Sequence, residues 1–567
     1  MKNVEIAEIF YSISKMLELK GENIFRIRAY DKAAQIVSET SDIEDYAKLD
    51  KLTDIPGIGK DLAEKIKEYL STGKIEYFEE LQKDIPKGIL ELLKVPSIGP
   101  KTAKLFFDKL KIKDIDTLEE YAKCGKLLEL EGIKKKTVEN ILHGINLVRK
   151  GKERIDIASG WDIADAFVFE LKKVKDVDKI AVAGSLRRMK ETIKDVDILL
   201  TSKNPEKVLD VFCKLKYVKE IIAQGPTKSS VLSYNGIQVD VRVVEPNAFG
   251  AALQYFTGSK NHNVKLRTLA VRKGYKINEY GVYKGKKCVP SKAEEDIYKV
   301  FRMPYIEPEL REDTGEIEAA LKNELPEVIT LKDIKGDFHA HSIFSDGHNT
   351  IEEMADECIK LGYEYVLLTD HSESLKVANG LSVAELSRKK KEIERLNSKF
   401  KDFRILYGTE AEIDSKGEID YNDRVLEEFD FVVGAVHSGL KQSKEQLTKR
   451  IVNACKNPHV DIIAHPTGRH WGIRDSYELD FDEVFKVARE TNTFFEINSF
   501  PIRLDLGDSL VRLAKSKGVR FTIGSDSHKV EHLRFLKYGV GIARRGWLEK
   551  EDVLNTFSLK EVMKRKK

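Results

Sequence analysis

At 567 residues the chain is too long for one hydrophobic core, so several domains are expected. Apolar residues make up 41% and charged residues 34%, no apolar run could cross a membrane, and the acidic start does not resemble a signal peptide. The five scattered cysteines form no C-x-x-C pair, which excludes a Cys-based zinc site and favours a reducing, cytoplasmic location.

The first 150 residues contain a repeated turn-and-helix segment. "LTDIPGIGKDLAEKI" (52–66) and "LLKVPSIGPKTAKLF" (92–106) share it, and "LLELEGIKKKTVENIL" (127–142) is a degraded third copy. Gly57, Gly59 and Gly99 would permit the tight hairpin, and the free N–H groups of the next helix, with Lys101, suit a phosphate. The segments resemble the helix-hairpin-helix motif, which implies DNA backbone binding without base specificity. The alternative is a plain helical bundle.

The middle of the chain carries a pattern of carboxylates on strands. "KIAVAGSLRRMKETIKDVDILL" (179–200) predicts a strand, a glycine turn, a short helix and a second strand. Alternation on that strand turns Asp195 and Asp197 to one face, and "GIQVDVRVV" presents Asp240 in the same way. Three converging carboxylates predict a site for two Mg²⁺ ions that also bind substrate phosphates. The alternative, ordinary surface charge, is disfavoured by the upstream Gly-Ser and the third aspartate.

This arrangement resembles family X DNA polymerases, the DNA polymerase beta group, through "YFTGSKNHNVKLR" (255–267). The resemblance implies that Asp195, Asp197 and Asp240 hold the metals and that Ser185 and Arg188 contact the incoming triphosphate. It implies that Tyr255, Phe256 and Gly258 form a wall against the sugar of the incoming nucleotide. Asn263 would contact the incoming base, and Arg267 would contact the template strand. Lys194 stands where the animal enzymes place a glycine.

Lys65 aligns with the Schiff-base lysine of the animal enzymes, but a second lysine of that pocket is Asp61 here. Lys65 is therefore a candidate for a lyase role. The alternative is a solvated helix lysine.

The C-terminal third alternates short apolar runs with helical stretches, which predicts about seven βα units and a barrel of parallel strands. Ten of the twelve histidines lie beyond residue 335. Polar side chains end the strands and should meet at one rim of the barrel: His339, His341, His371, Glu410, His437, His465, Asn498, Asp526 and His528. Nitrogen and carboxylate ligands without sulfur suit Zn²⁺, Mn²⁺ or Fe²⁺, and there are too many for one ion.

The motifs H-x-H-x4-D, T-D-H, G-T-E, V-H-S, A-H-P and S-D-S-H are similar to those of the PHP (polymerase and histidinol phosphatase) domain. The resemblance implies up to three ions, Mn²⁺ or Zn²⁺, that activate water against phosphorus. The first would bind His339, His341, Glu410 and Asp526, and Glu410 would bridge to a second, with His437 and His465. Asp346, His371 and His528 would bind the third.

We therefore expect helix-hairpin-helix domains, an α+β nucleotidyltransferase palm and thumb, and a distorted (β/α)7 PHP barrel. The predicted segments are a lyase-like domain at 1–80, a second helical DNA-binding domain at 81–150, a palm at 151–243, a nucleotide-selection thumb at 244–315, a linker at 316–334 and the PHP domain at 335–567.

The combination resembles bacterial and archaeal family X polymerases with a PHP domain. It implies a monomer that fills gaps in base-excision repair, using gapped or primer-template DNA and deoxynucleoside triphosphates. The barrel would act as a 3′→5′ exonuclease, and the family also implies cleavage at abasic sites. The alternatives are a barrel that hydrolyses a small phosphate monoester and a DNA-binding scaffold with vestigial sites.

Overall fold

The computed structural model describes residues 2–39, 43–55, 57–85, 87–93, 95, 98–289 and 291–567. The chain forms two compact units, Met1–Lys152 with Gly472–Arg474, and Glu153–Trp471 with Asp475–Lys567. Within the described ranges, no helix has the length and apolar character needed to cross a membrane.

The first unit is helical and has its own apolar core, drawn from side chains between Ile6 and Val148. Gly57 turns the chain with a φ of +95°, and a Cβ there would lie 2.4 Å from the Ile36 Cδ1 atom, so the hairpin needs glycine. The helices are α1 Lys2–Lys20, α2 Ile24–Glu39, α3 Ile43–Lys48, α4 Lys60–Thr72, α5 Glu76–Asp84, α6 Lys87–Leu92, α7 Pro100–Leu110, α8 Ile115–Lys123 and α9 Lys135–Glu153.

The second unit begins with a five-stranded sheet of order β2-β4-β7-β6-β5, in which β4 and β7 are parallel and the other neighbours antiparallel. Two helices, α10 and α12, supply apolar side chains to the same core as the sheet. The elements are β1 Ile155–Asp156, α10 Ile157–Lys172, β2 Val177–Val182, α11 Gly184–Arg187, β3 Thr192–Ile193, β4 Asp195–Ser202, α12 Pro205–Cys213, β5 Val218–Gln224, β6 Lys228–Ser233 and β7 Gln238–Val243.

A smaller subdomain follows, with four helices and a three-stranded antiparallel sheet of order β10-β9-β8. Its core is separate from that of the five-stranded sheet, which we call the palm sheet. The elements are α13 Phe249–Thr257, α14 Lys260–Arg272, β8 Lys276–Asn278, β9 Gly281–Lys284, β10 Lys287–Val289, α15 Glu295–Val300 and α16 Glu316–Lys322.

The rest of the chain is a barrel of seven parallel strands in sequence order, β11 to β17. The strands are almost wholly buried, as expected for parallel strands covered on the outside by helices. The elements are β11 Gly336–Ala340, α17 Ile351–Lys360, β12 Tyr365–Leu368, α18 Val383–Asn397, β13 Arg404–Glu412, α19 Asp423–Leu426, β14 Phe431–Ala435, α20 Lys444–Lys456, β15 Ile462–Ile463, α21 Phe481–Thr491, β16 Phe494–Asn498, α22 Asp508–Ser516, β17 Phe521–Gly524, α23 Leu536–Arg545 and α24 Leu559–Arg565.

The barrel closes between its first and last strands just beyond their carboxyl ends. Ala340 and Ser527 form a parallel bridge, the Asp526 N–H donates to the His339 carbonyl at 2.9 Å, and the His341 N–H donates to the Ser527 carbonyl at 2.8 Å. Closure therefore joins the segments that carry the H-x-H and S-D-S-H motifs. The fold predicted from the sequence is confirmed.

Candidate active sites

The palm sheet brings two of the three predicted carboxylates into direct register. In the parallel pair β4 and β7, Asp197 lies opposite Asp240, while Asp195 is two residues earlier on the same face. Val196 and Ile198 point to the other side and are buried, so the alternation that predicted this face is present.

The glycine turn before β4 leaves room for the Asp197 carboxylate. A Cβ on Gly184 would lie 2.3 Å from the Asp197 Oδ2 atom, and Gly184 has a φ of +65°. Burial raises the pKa of Asp197 to about 7, and the charges of Asp195 and Asp240 add to the rise. A divalent cation would remove this repulsion, and carboxylate oxygens are the donors that Mg²⁺ prefers, so the donor set fits the predicted metals.

Asp240 differs from its neighbours because it has a cationic partner. The Lys228 Nζ atom lies 2.6 Å from its Oδ2 atom, and the Gln238 Nε2 atom donates to its Oδ1 atom at 2.8 Å. Although burial opposes the effect, these contacts hold the pKa of Asp240 below its usual value. The sequence analysis did not identify Lys228, which stands on β6 beside β7, and a metal would have to compete with it.

Arg188, predicted to contact the triphosphate, is held by protein groups. Its Nε atom donates to the Glu312 Oε1 atom at 2.9 Å and its NH1 atom to the Thr257 carbonyl at 2.5 Å. Ser185 lies partly buried on α11, and Lys194 is exposed.

The predicted sugar wall lies at the end of α13. The Tyr255 and Phe256 rings meet edge to face at 5.2 Å, and the Arg242 guanidinium lies 4.6 Å from the Phe256 ring centre. Gly258 follows the helix with a φ of +71°, in a conformation that favours glycine.

The Asn263 side chain is buried and forms hydrogen bonds within the protein. Its side-chain amide donates to the Tyr255 carbonyl at 2.7 Å and accepts from Gln254 at 2.8 Å, and the residue is 8% exposed. A contact to the incoming base stays a prediction and would require those bonds to break. Arg267, one turn further along α14, is exposed.

In the helical unit, α4 and α7 begin after Gly59 and Gly99, and among the described residues no side chain caps either helix. The free backbone N–H groups of their first turns, which in α7 begin after Pro100, are therefore available to a phosphate, as the motif predicts. Lys101 is exposed at the start of α7.

Lys65 lies partly buried on α4, and a solvated helix lysine stays the alternative to a lyase role. The Lys65 side chain is only 15% exposed, and its Nζ atom lies 2.5 Å from the Asp61 Oδ1 atom and 5.5 Å from the centre of the Tyr77 ring. A lyase role stays a prediction, and it would require Asp61 to release the ammonium group.

At the carboxyl ends of the barrel strands, four ligand atoms face one another. The His339 Nε2 atom lies 3.1 Å from His341 Nε2, 3.3 Å from Glu410 Oε2 and 3.6 Å from Asp526 Oδ1. His341 Nε2 lies 3.5 Å from Glu410 Oε2 and 3.3 Å from Asp526 Oδ1. Ligands at about 2.1 Å from a tetrahedral ion are spaced by about 3.4 Å. His339, His341 and Asp526 therefore have the spacing that a cation requires, and Glu410 lies beside both imidazoles.

The other carboxylate oxygen of Glu410 faces a second set. Its Oε1 atom lies 2.8 Å from His465 Nε2 and 3.2 Å from His437 Nε2. Glu410 can therefore bridge two ions, as predicted from the resemblance. His371 forms a candidate ligand group with Glu410 and His437, and its Nδ1 atom lies 3.0 Å from Glu410 Oε2, the oxygen that faces the first set.

The third predicted set surrounds Asp346. Its Oδ1 atom lies 3.4 Å from His528 Nε2 and 3.6 Å from His371 Nε2. His341 also belongs to this group: its Nδ1 atom is 4.0 Å from Asp346 Oδ1, buried, and without a hydrogen bond to any described residue. A buried nitrogen without a partner suits a site where a ligand is held.

Two glutamates that the sequence analysis missed orient the imidazoles. Glu496 accepts from His339 Nδ1 at 2.6 Å and from the His465 N–H at 2.7 Å. Glu412 accepts from His437 Nδ1 at 2.8 Å. The two bonds to Nδ1 atoms leave the Nε2 atoms of His339 and His437 free for a metal. Strand alternation could have indicated both glutamates, because residues two apart on a strand share a face. Glu412 lies two residues after Glu410, and Glu496 lies two residues before Asn498.

Asn498, noted as a strand-end residue, also supports the first set. Its amide donates to Asp526 Oδ2 at 3.1 Å and to Glu496 Oε2 at 3.2 Å. Arg503 lies beside the same carboxylate, with Nε 3.4 Å from Asp526 Oδ2 and a side chain that is 22% exposed. The cluster therefore includes one cationic group that reaches solvent.

The charges around the imidazoles make metal binding compete with protons. Burial lowers the pKa of His437, but Glu410 and Glu412 outweigh it and raise the value to about 9. Asp346 and Asp526 likewise raise the pKa of His528 to about 9 against the effect of burial. A metal needs the neutral imidazoles, so binding would release protons and strengthen as the pH rises towards 9.

Four family models match the chain. They are a helix-hairpin-helix domain at residues 1–75, a SAM-like helix-hairpin-helix tandem at 89–146, the DNA polymerase beta thumb at 252–312 and the PHP domain at 337–500. The matches cover both helical segments, the subdomain after the palm and most of the barrel. The first two models together support the predicted tandem of helix-hairpin-helix motifs.

Two of the comparisons match part of the chain. A protein of Thermoanaerobacter sp. (strain X514) named "Probable phosphatase" is 30% identical over 41% of this chain and 95% of that one. The crystal structure of a ternary complex of Leishmania infantum polymerase beta is 28% identical and covers 40% of this chain and 98% of that one, with a TM-score of 0.27, too low to compare folds.

One relative matches from end to end. It is the DNA polymerase/3′-5′ exonuclease PolX of Bacillus subtilis (strain 168), which is 41% identical over an alignment of 568 positions that covers 99% of each chain. The aligned region spans the helical, palm, thumb and barrel segments of this chain. The chain therefore belongs to the family X DNA polymerases that carry a C-terminal PHP domain.

Proposed function

We propose that this chain fills short gaps in DNA during base-excision repair and that its barrel removes nucleotides from 3′ ends. The observation that carries the proposal is the presence of two separate sets of candidate metal ligands. One set lies on β4 and β7 of the palm, and the other lies at the carboxyl ends of the barrel strands. Nucleotide addition and phosphodiester hydrolysis each call for such a set.

At the palm, two Mg²⁺ ions held by Asp195, Asp197 and Asp240 would activate the primer 3′-hydroxyl and stabilise the leaving pyrophosphate. The half-buried Asp197 and its neighbour Asp240 would hold the metals from adjacent strands. Arg188 would leave Glu312 to bind the triphosphate, and Tyr255 and Phe256 would exclude the bulk of a 2′-hydroxyl. The substrates are deoxynucleoside triphosphates and gapped or primer-template DNA, and the enzyme works as a monomer.

In the barrel, up to three Mn²⁺ or Zn²⁺ ions would supply an activated water for attack on phosphorus. Glu410 would join two of the sets, while Glu412 and Glu496 would keep the imidazoles oriented. Arg503 is a cationic side chain of the cluster that reaches solvent, and we assign it to a non-bridging oxygen of the scissile phosphate. The same chemistry would serve for cutting at abasic sites.

A duplex with a one-nucleotide gap and a 5′-phosphate tests the repair role against an ungapped primer-template. We expect higher kcat/KM on the gap, because helix-hairpin-helix contacts to the downstream backbone add binding energy. Equal values on the two substrates would contradict a gap-filling role. An abasic-site duplex in the same series, with Mn²⁺ or Zn²⁺, should be cut by the wild type and left intact by His339→Ala with His341→Ala.

The rival function is hydrolysis of a small phosphate monoester, which is favoured by the likeness of part of the chain to relatives named as probable phosphatases. The fused DNA-binding segments favour a DNA substrate. Comparing turnover of a primer 3′ end with turnover of p-nitrophenyl phosphate decides between them, and a higher kcat/KM on the monoester would reject the nuclease.

A further inference from the structure

A buried arginine of the barrel contacts the part of the palm that contains Arg188, the residue predicted to bind the triphosphate. Arg545, the last residue of α23, has a side chain that is 2% exposed. Its NH1 atom donates to the Glu312 Oε1 atom at 2.9 Å and to the backbone carbonyl of Arg188 at 2.8 Å. Its Nε atom donates to the Asp508 Oδ2 atom on α22 at 2.8 Å. One side chain of the barrel therefore bonds to the thumb and the palm at once.

The carboxylate at the centre of this network serves two arginines. The Glu312 Oε1 atom accepts from Arg545 and from the Arg188 Nε atom, each at 2.9 Å, and the Glu312 side chain is 17% exposed. Arg188 also donates to the carbonyl of Thr257, the last residue of α13. The network therefore reaches both the predicted triphosphate arginine and the helix that carries the predicted sugar wall.

Leaving a partly buried carboxylate without a partner costs free energy. If Arg188 turns from Glu312 to a triphosphate, Glu312 loses one of its two guanidinium partners. Arg545 remains bonded to it, and the Arg188 backbone stays tied to Arg545 through its carbonyl. The Lys190 Nζ atom forms only a longer ion pair with the Glu312 Oε1 atom, at 3.7 Å, so Arg545 is the hydrogen-bonded partner that stays and lowers the cost of the exchange.

We propose that Arg545 of the barrel is a positioning residue of the polymerase site, which keeps Glu312 paired and the Arg188 backbone in place while the Arg188 guanidinium binds the incoming triphosphate. This inference rests on the proposed polymerase function. It gives the barrel a second role, independent of its own metal ligands. Nucleotide affinity should therefore depend on a residue of the nuclease domain.

The adjacent arginine provides a matched control. Arg544 is also on α23 and largely buried, and its Nε atom donates to the Glu309 Oε1 atom at 2.9 Å. It joins the barrel to the same thumb segment but contacts neither Glu312 nor Arg188. A loss that arises only from loosening the two domains should appear in Arg544→Gln as well as in Arg545→Gln.

The test is steady-state incorporation on gapped DNA by wild type, Arg545→Gln and Arg544→Gln. We expect Arg545→Gln to raise KM for the nucleotide by about 10-fold with kcat changed less than 3-fold, and Arg544→Gln to leave KM within 2-fold. Primer degradation by the barrel should be unchanged in both variants. If Arg545→Gln fails to fold, Arg545→Lys, which keeps a charge but loses the forked contact, should show a smaller rise in KM.

A double variant separates positioning from stability. Combining Arg545→Gln with Glu312→Gln removes the carboxylate that the single variant leaves with fewer partners. The KM for the nucleotide should therefore return towards the wild-type value. A loss caused by lower stability would instead grow, because the double variant lacks one more ion pair. Equal KM values for Arg545→Gln and Arg544→Gln, or no recovery in the double variant, would overturn the inference. A wild type that incorporates no nucleotide would instead reject the proposed function.

Discussion

The Asp197 carboxylate is buried beside two other carboxylates, and a bound metal would reduce their mutual repulsion. The free energy of unfolding should therefore depend on pH. The pKa of Asp197 in the folded chain is about 7 against a usual 3.8, because of burial and the charges of Asp195 and Asp240. Between those values the folded state holds a proton that the unfolded state lacks, so stability falls as the pH rises through this window and the loss is complete above pH 7.

We therefore expect Asp197→Asn to stabilise the chain in EDTA, and to do so more at pH 8 than at pH 5 by about 1–2 kcal/mol, allowing for solvent screening. Denaturant unfolding of both proteins at the two pH values measures this difference. Excess Mg²⁺ should shrink the advantage of the variant at pH 8. A stability difference independent of pH would show that Asp197 titrates normally.

Glu496 is the residue through which the orientation of two histidines can be tested. It accepts from His339 Nδ1 and from the backbone of His465, and its side chain is 2% exposed. Replacing it by Gln removes the charge that favours the metal-binding tautomer, so we expect metal affinity to fall by about 10-fold or more. Metal titration of the full chain checks this, with exposed Glu490→Gln on α21 as the control. Unchanged affinity would limit Glu496 to a packing role.

Arg503 should matter to the reaction rather than to the metals. Because it contacts Asp526 only at 3.4 Å and reaches solvent, Arg503→Gln should retain the wild-type metal content while 3′-end degradation slows on the order of 100-fold. Exposed Arg534→Gln serves as a control for loss of a positive charge. A variant that degrades primers normally would remove Arg503 from the phosphate site.

At the scale of elements, α13 carries the predicted selection against ribonucleotides. Tyr255→Ala or Phe256→Ala should lower discrimination against a ribonucleoside triphosphate by about 10-fold, because each opens space at the end of the helix. Leu253→Ala, which shortens another partly buried apolar side chain of α13, should leave the ratio unchanged. Incorporation efficiencies for matched deoxy- and ribonucleotides measure it, and an unchanged ratio in both aromatic variants would dismiss the wall.

The seven barrel strands were predictable because each is a short apolar run followed by polar residues, and parallel strands deliver those residues to one rim. The facing pair Asp197 and Asp240 followed from period-two alternation in the same way. The roles of Asn263 and Lys228 were not predictable, because both depend on contacts with neighbouring elements. Likewise, nothing local in "GIARRGW" indicates that Arg545 contacts the palm while Arg544 contacts Glu309.

At the scale of the whole molecule, palm, thumb and barrel belong to one compact unit. Ion pairs join them, including Arg469 to Glu191 at 2.8 Å and Arg544 to Glu309. The two sets of metal ligands nonetheless share no residue, since one stands on β4 and β7 and the other on the barrel strands. The central claim is therefore that one chain holds two chemistries that can be removed separately.

The most direct test follows extension and 3′-end shortening of one labelled primer on gapped DNA, with and without nucleotides. Asp195→Ala with Asp197→Ala should abolish extension and leave shortening at the wild-type rate. His339→Ala with His341→Ala should abolish shortening and leave extension. If the histidine variant still shortened primers as the wild type does, or if either pair removed both activities without unfolding the chain, the assignment of the two sites would be contradicted.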